Sequence, residues 1–178
     1  MTNLTRTVAL VGMMGVGKSS IGRRLAARLG VPFRDADSEI EAAAGCSINE
    51  IFDRYGEAAF RDGERKVIAR LLTLPPHVLA TGGGAFIDSE IREGIKKTAS
   101  SVWIEAPLDL LVERVGRRNT RPLLRGGEPR EILEKLLAER NPVYAEAAIH
   151  VESEEGPHGA QVERILNALI ERGVVEEP

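Results

Sequence analysis

The segment that most constrains the fold is a glycine-rich loop, GMMGVGKS, at residues 12–19. It follows the short apolar run TVALV and precedes KSSIGRRLAARLG, in which Ile21, Leu25 and Leu29 recur at spacings of four. The apolar run is typical of a buried strand, and the second pattern is typical of an amphipathic helix. We therefore predict a strand, a tight loop and a helix in direct succession, with Gly30 ending the helix.

The loop matches G-x-x-x-x-G-K-[ST], a pattern of residues suited to binding phosphate. Glycines at 12, 15 and 17 accept positive φ angles and let backbone N–H groups converge on phosphate oxygens. Lys18 can reach the β- and γ-phosphates, and the Ser19 hydroxyl can bind Mg²⁺. The loop therefore predicts a nucleoside triphosphate site, but it leaves the acceptor of the phosphate open.

Composition limits the partners and the compartment of the chain. Its 178 residues fit one domain, 1–178, and a net charge of −3 predicts no general affinity for nucleic acid. No apolar run approaches the ~20 residues that span a bilayer. Cys46 is the single cysteine, so no internal disulfide can form and a reducing, cytoplasmic location is expected.

Five short apolar runs alternate with longer helical patterns along the chain. The runs lie at residues 7–12, 31–37, 77–81, 100–106 and 148–152. This alternation predicts an α/β fold with an open, five-stranded parallel sheet and helices on both faces. Ligands of such sheets bind at the carboxyl ends of the strands. The phosphate loop, Asp35 with Asp37, and Gly82–Gly84 each follow one of these runs, so we expect them to meet at one edge.

Asp35 and Asp37 are two residues apart in a segment that we interpret as extended. Alternate residues of a strand point to the same side, so the two carboxylates are predicted to point together. Such a pair suits a hydrated magnesium ion or a hydroxyl acceptor. The alternative is a pair of solvated loop carboxylates, with Asp37 capping the helix that follows.

Two further motifs could recognise the acceptor. In FRDGE, Arg61 and Glu64 could form an exposed pair, or Glu64 could hold the guanidinium so that it binds a carboxylate through two hydrogen bonds. In ATGGG, Gly82–Gly84 suit a backbone that lies against a ligand, whereas an ordinary flexible turn is the alternative.

Two later segments carry candidate arginines. The segment RRNTRPLLRGGEP at 117–129 has the composition of a mobile flap, in which Arg121 could stabilise charge on the phosphates. A solvated basic loop is the alternative. In RNPVY, Arg140 and Tyr144 lie on one helical face, and Tyr144 could simply pack over the arginine stem.

Taken in order, these motifs resemble those of the shikimate kinases over nearly the whole chain. The matching elements are the phosphate loop, Asp-x-Asp, Phe-Arg-x-x-Glu, ATGGG at 80–84, TRPLL and RNPVY. The resemblance implies a nucleoside-monophosphate-kinase-like P-loop fold, with a mobile lid at about 117–130 and a substrate-binding helical segment at about 35–65. It implies transfer of phosphate from ATP, with Mg²⁺, to the 3-hydroxyl of shikimate in aromatic amino-acid biosynthesis. A monomer is expected.

The resemblance also implies roles for individual residues. The nucleotide site would comprise Gly15, Val16, Gly17, Lys18, Ser19, Ser20, Arg114, Arg121 and Pro157. The shikimate site would comprise Asp37, Arg61, Gly82, Gly83, Gly84 and Arg140. Ser19 and Asp35 would hold Mg²⁺, while Lys18, Asp37 and Arg121 would serve catalysis. Glu152 stands where relatives often have Asp, which concerns only the adenine side.

Two other functions are compatible with part of the sequence. A gluconate-type small-metabolite kinase would share the phosphate loop, but it is not expected to combine FRDGE, ATGGG and RNPVY. A non-catalytic relative would bind shikimate without turnover, and its signature would be the loss of Lys18, Asp37 or the lid arginine. All three residues are present, so an active kinase is the favoured interpretation.

Overall fold

The computed structural model describes residues 3–116, 127–154 and 158–176. The strands are β1 (Asn3–Leu4), β2 (Thr7–Val11), β3 (Phe33–Asp35), β4 (Val78–Ala80), β5 (Ala99–Glu105), β6 (Ile149–Glu152) and β7 (Val175–Glu176). The helices are α1 (Lys18–Leu29), α2 (Ala36–Ala44), α3 (Ile48–Tyr55), α4 (Glu57–Leu71), α5 (Ser89–Thr98), α6 (Leu108–Gly116), α7 (Pro129–Tyr144) and α8 (Gly159–Glu171). A short 3-10 helix, Ala85–Ile87, follows Gly82–Gly84.

Five strands form a parallel sheet in the order β3-β4-β2-β5-β6, which confirms the predicted sheet. Strand β2 lies at the centre, where Val8 pairs with Val78 of β4 and with Ser100 of β5. All five residues of β2 are buried, as expected for a strand covered on both faces. The phosphate loop therefore leaves the middle of the sheet.

Helices cover both faces of this sheet, as predicted. Helix α1 contacts β3, β4 and α8, and it lies close to the sheet because Gly22 has no Cβ. A Cβ at Gly22 would lie 2.6 Å from the Phe33 ring and 3.2 Å from Leu10. Leu10 pairs with Val102 of β5. The residue after Val102 is Trp103, which therefore faces the opposite side of the sheet. There Trp103 is buried and packs on Tyr144 of α7.

The second strand is shorter than the sequence suggested, and this corrects the prediction for the two aspartates. Strand β3 ends at Asp35, and Asp37 lies in the first turn of α2. Asp35 is the N-cap of α2, because its Oδ1 accepts a hydrogen bond from the Ser38 amide at 3.1 Å. The carboxylates therefore do not point together as alternate residues of one strand. The capping role considered for Asp37 belongs to Asp35.

The two ends of the described chain also form a small antiparallel pair that was not predicted. Strand β1 pairs with β7, with Asn3 opposite Glu176 and Leu4 opposite Val175. Two-residue strands carry too little periodicity to be found from sequence alone.

Some predicted features fall outside the described residues, namely Arg121, Pro157 and positions 117–126 of the predicted lid. Within the described part of the chain, none of the helices combines the length and the hydropathy required to cross a membrane.

Candidate active site

Three glycines shape the loop between β2 and α1. Gly12, Gly15 and Gly17 have φ angles of 143°, 85° and 98°, a region that other residues rarely adopt. At Gly12 a Cβ would lie only 2.5 Å from the carbonyl oxygen of Ile104 in β5. The predicted loop is therefore present, and its curvature depends on these glycines.

The loop ends at the start of α1, where Lys18 is the first helical residue. The Lys18 Nζ donates hydrogen bonds to the carbonyl oxygens of Gly12 at 2.6 Å and of Met13 at 2.9 Å. Its ammonium group thus lies over the loop, next to the positive end of the α1 dipole. Together these groups form a concave site with the positive potential that a phosphate requires.

Arg114 of α6 joins this loop to the segment that follows β6. Its guanidinium donates to the carbonyl oxygens of Gly15 at 3.1 Å and Val16 at 3.0 Å, and to the Ser153 hydroxyl at 3.3 Å. The Val16 side chain is only 1% exposed and packs in the core. Its N–H donates to the Met13 carbonyl at 3.4 Å. Val16, one of the residues predicted for the nucleotide site, therefore stabilises the shape of the phosphate loop.

A cavity of about 310 Å³, here called the loop cavity, opens above the phosphate loop. Predicted residues on its wall are Gly15, Gly17, Lys18, Ser19, Ser20, Asp35, Asp37, Gly82, Gly83 and Arg114. Arg23, Thr81, Val115 and His158 also line it and were not predicted. Arg23 lies one helical turn after Ser19, so its spacing could have revealed it.

His158 reaches the loop cavity only through the tertiary structure. Its imidazole lies 3.0 Å from the position that a Cβ on Gly17 would occupy. Burial lowers the pKa of His158, and the nearby charges of Arg114 and Arg24 lower it further. The lowered pKa favours the neutral form of the His158 imidazole beside this positively charged site.

Ser19 and Asp35 form a pair of oxygen donors in the loop cavity. The Ser19 hydroxyl donates to Asp35 Oδ2 at 2.7 Å. Hard oxygen donors of this kind suit Mg²⁺, which usually takes one or two protein ligands and completes its shell with water and phosphate. No cluster of three or more metal-binding side chains occurs among the described residues. The pair therefore fits a magnesium ion that is bound together with phosphate.

A second cavity of about 420 Å³, here called the arginine cavity, adjoins the first. It is lined by Met14, Asp37, Glu41, Ser47, Ile48, Asn49, Phe52, Phe60, Arg61, Glu64, Gly82, Gly83, Gly84 and Arg140. Asp37, Gly82 and Gly83 line both cavities. The structure thus brings together all six residues that the sequence assigned to an acceptor, and it places Asp37 at the junction.

Each glycine of the run Gly82–Gly84 is approached by a different charged group. A Cβ on Gly82 would lie 2.9 Å from Asp37 Oδ1 and 3.2 Å from Glu64 Oε2. Gly83 lies against Arg140, whose guanidinium would be 3.4 Å from a Cβ there, and Gly84 lies against Arg61, at 2.5 Å. The glycine run, defined here as Gly82–Gly84, therefore admits these side chains because it has none of its own.

The nearest carboxylate to Arg61 is a buried one, that of Glu64. The Arg61 guanidinium donates to Glu64 Oε1 at 2.9 Å, and the Glu64 side chain is 1% exposed. Burial raises the pKa of Glu64 above its ordinary value of 4.5, while the adjacent Arg61 opposes this rise. The interpretation of Arg61 and Glu64 as an exposed pair is therefore wrong, and the anchoring interpretation agrees with the structure.

Gly82→Ala tests the close contact between the glycine run and Asp37. The new methyl group would lie 2.9 Å from Asp37 Oδ1, so the carboxylate must move. The family resemblance implies that Asp37 serves catalysis, and a displacement of about 1 Å at a reacting group can reduce the rate about 100-fold. We therefore expect a loss of that order in kcat. Steady-state kinetics measure this, with Gly63→Ala as the control, because a Cβ at Gly63 meets nothing within 4 Å. Equal activity of both variants would contradict the prediction.

Comparison with known proteins shows that the chain is similar to shikimate kinases. Residues 14–170 match the family model described as shikimate kinase. The shikimate kinase of Caulobacter vibrioides (strain NA1000 / CB15N) is 61% identical over 164 residues, which cover 92% of this chain and 82% of that protein. The shikimate kinase of Paramagnetospirillum magneticum is 60% identical over 93% of this chain and 85% of that protein.

A solved structure gives the same result at the level of the fold. Shikimate kinase from Acinetobacter baumannii in complex with shikimate superimposes with a TM-score of 0.91 at 38% identity, covering 94% of each chain. The match to the family model, the sequence identities and this superposition all agree. The chain therefore belongs to the shikimate kinase family.

Proposed function

We propose that the loop cavity binds ATP, that the arginine cavity binds shikimate, and that phosphate passes between them beside Asp37. The products are shikimate 3-phosphate and ADP. The observation that carries this assignment is that Asp37, Gly82 and Gly83 line both cavities. A direct transfer requires the acceptor hydroxyl and the γ-phosphate to meet in line, and the junction of the cavities is where they can do so.

On the nucleotide side, the backbone of the phosphate loop and Lys18 would hold the β- and γ-phosphates. The oxygens of Ser19 and Asp35 would hold Mg²⁺, which when bound offsets negative charge on the phosphates. Arg121 retains its proposed role on the strength of the family resemblance alone, because it lies outside the described residues. The same holds for Pro157 on the adenine side.

On the acceptor side, Arg61 and Arg140 would bind the carboxylate of shikimate. Their guanidinium groups lie against neighbouring members of the glycine run, Gly84 and Gly83, so both can reach one small anion. Two guanidinium groups offer the paired N–H donors that a carboxylate accepts. Asp37 would then hold the 3-hydroxyl, orient it towards the γ-phosphate and accept its proton.

These features favour shikimate over the other two functions considered from the sequence. The family match supports shikimate rather than a gluconate-type substrate. The paired arginines suit the carboxylate of either acid. Lys18 and Asp37 both line the loop cavity, which supports catalysis rather than binding alone.

Purified protein, ATP and Mg²⁺ with shikimate or gluconate test the function directly. We expect ADP release and a product of phosphorylated mass with shikimate only. Turnover of gluconate without turnover of shikimate would contradict the substrate assignment. Shikimate binding seen by calorimetry, with no ADP release, would instead support a non-catalytic protein.

We also retain the proposals that the chain is a single domain, monomeric and cytoplasmic. Size-exclusion chromatography with light scattering would test the oligomeric state.

A further inference from the structure

Tyr144, at the end of α7, is completely buried behind the arginine cavity. Its ring packs on Trp103 of β5, with the ring centroids 5.9 Å apart. The sequence alone suggested that Tyr144 packs over the stem of Arg140. Its hydroxyl group, however, has polar partners that hydrophobic packing does not require.

The Tyr144 hydroxyl bridges two walls of the arginine cavity. It donates a hydrogen bond to the carbonyl oxygen of Gly83. Burial raises the pKa of this hydroxyl, and the guanidinium of Arg140 lies near enough to oppose that rise. Gly83 and Arg140 both line the arginine cavity. One buried oxygen atom thus connects the glycine run to the arginine that lies against it.

This bridge matters because the glycine run has unusual backbone freedom. Residues without a Cβ populate many φ and ψ values, so three in succession do not define one conformation by themselves. The peptide unit between Gly83 and Gly84 is planar, and in the trans form its C=O and N–H point in opposite directions. Holding the Gly83 oxygen on Tyr144 therefore also sets the direction of the Gly84 N–H.

We infer that Tyr144 is a positioning residue for the acceptor, because its hydroxyl holds the glycine run and Arg140 in one fixed arrangement. This inference rests on the proposed assignment of the arginine cavity to shikimate. Tyr144 is not among the residues that line the cavity, so it acts through Gly83 and Arg140 and not by touching the substrate. Its effect should fall on shikimate binding and leave the nucleotide site unchanged.

Tyr144→Phe is the direct test, because it keeps the ring and removes only the hydroxyl. The buried carbonyl oxygen of Gly83 then loses its donor and Arg140 loses a polar neighbour, so we expect the KM for shikimate to rise about tenfold. The KM for ATP should stay within about twofold of the original value, because the variant weakens the binding of shikimate and does not alter the nucleotide site. Calorimetry should show the same loss of affinity for shikimate.

The chain contains two tyrosines, and the other one supplies a matched control. Tyr55 is 66% exposed at the end of α3 and does not line either cavity. Tyr55→Phe makes the same chemical change and should leave both KM values as they were. Trp103→Phe weakens the ring packing but keeps the Tyr144 hydroxyl, so it should lower Tm without a comparable rise in the KM for shikimate.

The outcomes separate this inference from the proposed function. If the original protein does not phosphorylate shikimate, the function itself is wrong. If it does, an unchanged KM for shikimate in Tyr144→Phe overturns the inference. An equal rise in the KM for ATP, a similar rise in Trp103→Phe, or failure of Tyr144→Phe to fold would also overturn it. Each would show that Tyr144 serves the stability of the fold and not the acceptor site.

Discussion

Asp37→Asn should keep the fold and reduce kcat by roughly 10²–10⁴-fold, the usual contribution of a positioned acid or base. Asp37 lies at the junction of the two cavities, and its carboxylate lies against Gly82. Asparagine has nearly the same shape, but it carries no charge and cannot accept the proton of a hydroxyl group. The KM for ATP should change little, because the phosphate loop is not altered. A coupled assay of ADP release measures both parameters.

Asp62→Asn is the matched control for this variant. Asp62 is 59% exposed on α4 and pairs with Lys66 at 3.1 Å, so an equal loss of charge occurs away from both cavities. We expect normal kinetics for Asp62→Asn. A value of kcat close to the original in Asp37→Asn would remove Asp37 from the chemical step.

Arg61→Ala is expected to have the largest effect on acceptor binding. A hydrogen bond to a charged group contributes about 1.5–3 kcal/mol, so the KM for shikimate should rise roughly 10- to 150-fold. Binding of ATP should survive, because Arg61 does not line the loop cavity. Calorimetric titration with each ligand separates the two effects, and an equal loss of both affinities would contradict the assigned role.

Glu57→Gln is the control for Arg61→Ala. Glu57 contacts the same guanidinium from the solvent side at 3.7 Å, and its side chain is 57% exposed. Exposed ion pairs contribute little, so Glu57→Gln should have a KM for shikimate near the original. Arg61→Lys should recover only part of the affinity, since an ammonium group cannot make the paired hydrogen bonds of a guanidinium.

Arg61→Ala should also change how the stability of the fold depends on pH. Burial already raises the pKa of Glu64, and Arg61 is the main group that lowers it, so Arg61→Ala should raise this pKa further. A carboxyl whose pKa is higher in the folded state stabilises the fold at pH values below its unfolded pKa. This stabilisation is lost as the pH rises through the folded pKa.

Arg61→Ala should therefore lose stability relative to the original protein as the pH rises from about 4.5 towards neutrality. Urea unfolding at a series of pH values measures this difference, and Arg61→Lys should restore most of the stability at neutral pH. Parallel stability curves for Arg61→Ala and the original chain would show that Arg61 does not compensate the buried charge of Glu64.

Local patterns in the sequence were enough to predict the five-stranded sheet and the phosphate loop. Steric limits act within a few residues, so the glycines of the loop could be identified without knowing their neighbours. The boundary after β3 was predicted less well. The extended pattern of residues 31–37 did not reveal that Asp35 would cap α2, because a short polar residue suits both a strand end and an N-cap.

By itself, the sequence determined the five-stranded fold and the phosphate loop, and it predicted which residues would bind phosphate, Mg²⁺, a carboxylate and a hydroxyl group. The tertiary structure alone decided that Glu64 is buried beneath Arg61, that His158 reaches the loop cavity, and that Tyr144 bridges Gly83 and Arg140. The physical reason is that periodicity records which side of one helix or strand is buried, whereas these contacts join elements distant in the chain. Burial and partners set the charge and direction of such groups, and both depend on how those elements pack.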